Sequence, residues 1–162
     1  HMERILRARE LLESHTPMKS DCGALCGGAC CKGSDEDGMA LLPGEAALYQ
    51  SADWCRVIRR GEDDILICRG VCPRKERPFS CRIFPLFVKM TAEKTTLVLD
   101  PLAKSVCPLA GGSVRALDRE FVKNAKEALR ALLSDPATRE FFKRQSALRD
   151  EAFQSPLFSP FD

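Results

Sequence analysis

The chain has 162 residues, with 25 basic and 23 acidic side chains and a formal net charge of +2. At this length one domain is expected, able to bury about 70% of its unfolded surface without disulfide staples. The even charge balance gives no electrostatic case for nucleic-acid or membrane binding, and no apolar run approaches the roughly 18 residues that cross a bilayer.

The nine cysteines set the problem, because all of them lie between Cys22 and Cys107 and none follows. An odd number fits poorly with complete pairing into disulfides. The start of the sequence carries no secretion signal, so the expected location is a reducing cytoplasm. Thiols there serve metals or redox chemistry more often than structural bridges. His1 and Met2 read as a cloning scar and are left out of the functional argument.

In chain order, residues Glu3–Ser14 predict a helix, with Ile5, Ala8, Leu11 and Leu12 on one face and charges on the other; Pro17 ends it. Asp21–Gly38 holds four cysteines, five glycines and an acidic run, with no periodicity. It reads as a loop that wraps a ligand. A short helix is expected over Pro43–Ser51, with Pro43 in its first turn. Ile65–Cys68 reads as a short buried strand. Cys68–Pro85 carries three further cysteines and three prolines. Leu86–Thr91 and Thr95–Asp100 predict a β-hairpin turning at Ala92-Glu93-Lys94.

From Ser113, a plausible N-cap, Val114, Leu117, Phe121, Ala125, Ala128 and Leu132 fall at helical spacing. Asp135-Pro136 restarts a second helix, capped by Asp135 and running to about Phe153. Nine basic and eight acidic residues over Ser113–Asp162 read as a solvated face. The Pro/Phe tail Ser155–Asp162 is expected to pack along the domain as an extended segment. The expectation is an α+β fold: a small, mostly helical domain with irregular cysteine-rich loops and a short β-hairpin. Residues 1–20 form its N-terminal helix, 21–112 the cysteine-cluster part, and 113–162 an α-hairpin and tail on the same domain.

The cysteines are spaced Cys22-x3-Cys26-x3-Cys30-Cys31, then Cys68-x3-Cys72-x8-Cys81, then Cys107, with Cys55 apart. Soft thiolates in this number select zinc, copper(I) or iron–sulfur clusters. Zinc takes four thiolates in structural sites, and so does a [4Fe–4S] cluster. The eight clustered cysteines fill two such sites, or one with some left structural. Their spacing fits neither the paired Cys-x2-Cys of zinc ribbons nor the ferredoxin run. Around the second group, Arg69, Arg74, Lys75, Arg77 and Arg82 face Glu76 alone. Guanidinium groups there stabilise thiolates and donate hydrogen bonds to sulfur, Arg82 being the foremost candidate through its position beside Cys81.

The ordered set Cys22…Cys26…Cys30-Cys31, Leu42-Pro43-Gly44-Glu45, and Cys72…Arg77-Pro78-x-x-Cys81-Arg82-x-Phe84-Pro85 resembles the YkgJ-type cysteine-cluster family, described as a zinc- or iron-chelating domain. The resemblance covers about residues 21–107. It implies metal binding through Cys22, Cys26, Cys30, Cys31, Cys68, Cys72, Cys81 and Cys107. The segment between Cys68 and Cys81 departs from the family pattern, being shorter and lacking its tyrosine.

Cys55, Trp54 and Tyr49 are expected in the core, Glu45 as a first-turn helix charge or a partner of Arg77 or Arg82, and His15 at the surface. No Ser/His/Asp set, phosphate loop or metalloprotease helix is present, so no residue is assigned to catalysis. The sequence therefore predicts a zinc-binding protein with a structural or partner-binding role. An iron–sulfur protein with a redox or oxidoreductase-accessory role is the alternative. The C-terminal helices are the expected surface for a protein partner.

Overall fold

The N-terminal helix α1 (Met2–Glu10) puts Ile5 and Ala8 inward, and turns continue the chain to Ser14 with Leu12 also buried. A computed structural model describes residues 1–32, 34 and 36–154 of the chain. Asp35 of the acidic run and the tail expected over Ser155–Asp162 lie outside the described residues. The apolar stripe of α1 packs against α4 (Arg119–Leu132), whose Phe121, Ala125, Ala128 and Leu132 are buried in the same core as Ile5, Phe79 and Leu42. Burying side chains of this size is worth about 1.5–3 kcal/mol each before conformational entropy is counted.

Two small antiparallel sheets frame the cysteine-bearing segments. In the first, β1 (Met39–Ala40), β2 (Cys55–Arg60) and β3 (Asp63–Cys68) run in the order β1-β3-β2. Its β2–β3 register places Cys55 opposite Cys68 and Arg60 opposite Asp63. The turn between them uses Gly61, at φ +59°, a conformation open to glycine at little cost. The second sheet is the hairpin of β4 (Leu86–Met90) and β5 (Thr95–Leu99), close to the span read from the sequence, with Leu86 opposite Leu99.

Helix α5 (Pro136–Gln154) crosses β4 and touches both sheets. Its Ser146 hydroxyl accepts from Met90 N at 2.9 Å and donates to Phe142 O at 2.8 Å. Arg144 and Gln145 reach Asp63 of β3 at 2.6 and 2.8 Å, and Arg149 reaches Asp100, just past β5, at 2.9 Å. The Asp135 cap has the expected form, its carboxylate accepting from Thr138 N at 2.8 Å.

Two helical expectations are corrected. The helix placed at Ser113 begins only at Arg119: Val114–Ala116 is a 3₁₀ turn, Leu117 is extended, and the cap is Asp118, which accepts from Phe121 N at 3.0 Å. Apolar spacing continues through the break because Val114 and Leu117 join the same core by a different backbone path. The segment expected to be a helix over Pro43–Ser51 is a 3₁₀ turn over Glu45–Tyr49, entered through Gly44 at φ +80°. Among the described residues no helix is long and apolar enough to cross a membrane.

Candidate metal centre

The first cysteine segment is irregular overall but locally helical. Cys22 precedes a single turn, α2 (Gly23–Cys26), which ends on Gly27 and Gly28 at φ +60° and +71°. Cys30 and Cys31 follow in a 3₁₀ turn over Ala29–Cys31. Two successive left-handed glycines reverse the chain, so four cysteines are presented within ten residues of backbone. The second group comes from three different places. Cys68 ends β3, Cys72 lies in the following loop, and Cys81 sits in α3 (Phe79–Ile83). Cys107 precedes a 3₁₀ turn over Pro108–Gly111.

These segments converge. Cys30, Cys31, Cys68 and Cys72, from two separate segments, lie close enough to perturb one another's protonation, while Cys72 Sγ donates to Pro73 O at 3.7 Å and Cys26 Sγ to Cys22 O at 3.8 Å. Cys81 lies within the electrostatic field of Cys72 and Cys31, and Cys22 within that of Cys107 and Cys26. Among the described residues, no three His, Cys, Asp or Glu side chains are drawn together in metal-ligating geometry, and all nine cysteines are free thiols.

Neighbouring thiols shift one another in opposite directions. Hydrogen bonds from Cys30 and then Cys68 hold the Cys31 thiol down to about 3. The bond to Cys31, and then burial, push Cys30 up; the bonds to Cys31 and Cys72 push Cys68 up. The bond from Cys68 lowers Cys72, with Arg77 helping. Burial first pushes Cys81 and Cys22 up; the neighbouring Cys72, Cys31 and Glu45 add to the effect at Cys81, and Asp21, Cys107 and Cys26 at Cys22.

One cation acts on four of these thiols. Arg77 hydrogen-bonds Cys72 and lies in the field of Cys31, Cys81 and Cys22. Its Nε is buried and has no partner among the described residues. A buried guanidinium N–H without a partner, on a side chain whose charge acts on several thiols, is suited to a site that carries net negative charge, as thiolate-ligated metals do.

Arg82, the first choice from sequence, does not contact sulfur. It is 8% exposed, and its guanidinium donates to Arg77 O at 2.8 Å, Lys75 O at 2.7 Å, Arg9 O at 3.2 Å and Glu13 Oε2 at 2.6 Å. Adjacency to Cys81 misled because residues i and i+1 of a helix point in different directions. Arg82 instead pins the 74–77 segment to α1, and so sets where Arg77 and Cys72 stand.

Glu45 stands in the first turn of its 3₁₀ segment, as expected, but it is buried, and its ion-pair partner among the described residues is Arg9, not Arg77 or Arg82. It is 0% exposed and accepts from Leu42 N at 3.1 Å and Phe79 N at 2.8 Å, with Arg9 Nη1 at 4.0 Å. Burial pushes its carboxyl above the ordinary range, against these donors. It fixes the start of α3, which carries Cys81.

Cys55, read as a core residue, is 3% exposed and packs with Leu41, Tyr49 and Leu66, yet the strand register sets it against Cys68. His15 is half-buried, its Nδ1 enclosed and without a hydrogen-bond partner among the described residues. Trp54 and Tyr49 meet edge to face at 5.8 Å and both hydrogen-bond Glu76. Comparison with family models, curated proteins and solved structures returns no match.

Proposed function

We propose that the chain is a metal-binding protein whose cysteine cluster, Cys22, Cys26, Cys30, Cys31, Cys68, Cys72, Cys81 and Cys107, holds zinc in a structural or partner-binding role. The observation that carries this reading is the convergence of thiols from separate segments on Arg77, whose buried Nε lacks a partner among the described residues. Uncharged buried cysteines would not call for a desolvated guanidinium. Bound zinc would be held by deprotonated thiolates of these cysteines and would supply the charge that keeps them ionised. The likeness of the Cys/Leu-Pro-Gly-Glu/Arg-Pro pattern to the YkgJ-type family supports the same reading.

The test is anaerobic purification of the full chain, followed by zinc, iron and sulfide analysis and a visible spectrum. The expected sample is colourless and contains stoichiometric zinc. Chelation exposes the eight thiols to a thiol reagent and loosens the segments that bear them. Iron and acid-labile sulfide in equal amounts, with broad absorption near ~400 nm, overturn zinc in favour of the iron–sulfur alternative. A protein that carries no metal and takes up no added zinc overturns both.

A further inference from the structure

The nine basic and eight acidic residues beyond Ser113 balance in sequence but not in space. Five of the nine, Arg115, Arg119, Lys123, Lys126 and Arg130, line one cavity of about 460 Å³, and no acidic side chain lines it. All five are exposed. Arg119, Lys123, Lys126 and Arg130 follow one face of α4 at steps of four, three and four, and Arg115 approaches from the 3₁₀ turn before it.

The break at Leu117 and Asp118 is what makes this surface concave. A continuous helix from Ser113 would carry Arg115 away along the helix axis. The chain instead runs extended through Leu117, held by Asp118 N donating to Pro17 O at 2.8 Å, and the 3₁₀ turn stands beside the helix. Val114 and Val122, half-buried, and Leu117, buried, supply an apolar floor.

The charges are largely uncommitted. Lys123 pairs with Glu120 at 3.4 Å at an exposed position, a contact of little net worth. Among the described residues Arg115, Arg119, Lys126 and Arg130 form no ion pair with an acidic residue. Clustered cations without counter-charges repel one another, and an anion relieves that repulsion.

We infer that this cavity binds a nucleoside di- or triphosphate, its phosphate chain on the Arg and Lys side chains and its nucleoside on Val114, Leu117 and Val122. The volume falls within the range of small-molecule sites, about 300–1,000 Å³. Three guanidinium groups suit bidentate contact with phosphate oxygens. A single carboxylate would leave most of the cations unmatched, whereas a phosphate chain spreads charge along them. The site uses side chains throughout, so the absence of a phosphate-loop motif does not count against it.

Calorimetric titration of the full chain with ATP tests the inference, with magnesium in excess so that the nucleotide does not draw metal from the cysteine cluster. The expected result is saturable one-to-one binding that weakens as salt rises. Lys126→Glu with Arg130→Glu is expected to weaken it at least tenfold, with an unchanged circular dichroism spectrum because both positions are exposed. Lys143→Glu on α5, outside the cavity, is expected to leave binding within about twofold, since its charge is remote and screened. Inorganic tripolyphosphate is expected to bind more weakly than ATP, lacking the apolar contact. No binding at millimolar ATP in low salt overturns the site. Equal losses from Lys143→Glu and the α4 pair overturn its localisation, and tripolyphosphate as tight as ATP overturns the nucleoside contact. A polyglutamate peptide or RNA oligonucleotide that binds more tightly than ATP replaces the small molecule with a polymer. None of these outcomes depends on which metal the cysteines hold.

Discussion

Replacing Glu45 isolates the residue that joins the Leu42-Pro43-Gly44-Glu45 turn to the helix bearing Cys81. Each carboxylate oxygen accepts one backbone N–H, Oε1 from Phe79 and Oε2 from Leu42, at a position with no solvent access. Glutamine keeps one acceptor and turns an NH₂ group toward the other donor. One buried N–H then loses its partner, at a cost of about 1–3 kcal/mol. Alanine strands both donors, leaves Arg9 without its 4.0 Å counter-charge and opens a void, for about 3–5 kcal/mol in total. Against a total stability of about 5–15 kcal/mol, the alanine change approaches global unfolding. Urea unfolding followed by the fluorescence of the single tryptophan, Trp54, measures both variants. The rate of Cys81 reaction with a thiol reagent reports on α3 locally, and should rise in the glutamine variant before global stability is lost. Glutamine and alanine variants both within about 0.5 kcal/mol of the parent would refute the reasoning, since surface substitutions alone fall in that range.

Three further outcomes follow from particular contacts. The Arg82 hydrogen bond at 2.6 Å holds the Glu13 carboxyl below its ordinary value near 4.5. Its stabilising contribution is therefore present above that value and lost as pH falls through the lowered one. The advantage of the parent over Glu13→Gln in urea midpoint should be full at neutral pH and vanish in strong acid; a gap that does not change with pH refutes the pairing. Gly38→Ala would place a Cβ 2.7 Å from Leu66 O and 2.5 Å from Ile65 Cγ2, and the carbonyl cannot yield without breaking the β1–β3 ladder. A loss of about 1–3 kcal/mol is expected in thermal unfolding, and an unchanged midpoint would show that β1 is not held there. Arg77→Lys keeps the charge but loses the planar fork, so metal uptake should weaken while the unfolding midpoint of the metal-free protein stays close to the parent.

The parts of the fold legible in the sequence are those whose signals are local. The hairpin of β4 and β5 shows alternating β-formers around a short turn, and α5 shows its Asp-Pro start. The β2–β3 hairpin escaped notice although Cys55–Arg60 and Asp63–Cys68 are six-residue runs around Gly61-Glu62, a two-residue turn signal. Only the apolar part of β3, Ile65–Cys68, reads as a strand; β2 carries three arginines, which break its apolar alternation. The cysteines stand out as a group in the sequence because their density needs no geometry to be seen. The second layer does not: Arg82 and Glu45 owe their roles to partners 69 and 34 residues away, which no spacing rule encodes. The basic cavity was hidden by its own neutrality, because counting charges along 50 residues erases their segregation around one face of α4.

The contacts of α5 with Asp63 and Asp100 bear on how small a working fragment can be. Both carboxylates are buried, at 8% and 6% exposure, and their partners Arg144, Gln145 and Arg149 all lie beyond the last cysteine. A cut just after Cys107, where the cysteine pattern alone would draw the boundary, strands two buried negative charges. One is at the turn end of the strand that delivers Cys68; the other follows the hairpin that delivers Cys107. The excised cysteine segment is thus a different molecule from the intact chain, with the sheet that carries Cys55 and Cys68 no longer clamped from behind. The helices that carry no cysteine are part of the apparatus that aims the sulfurs.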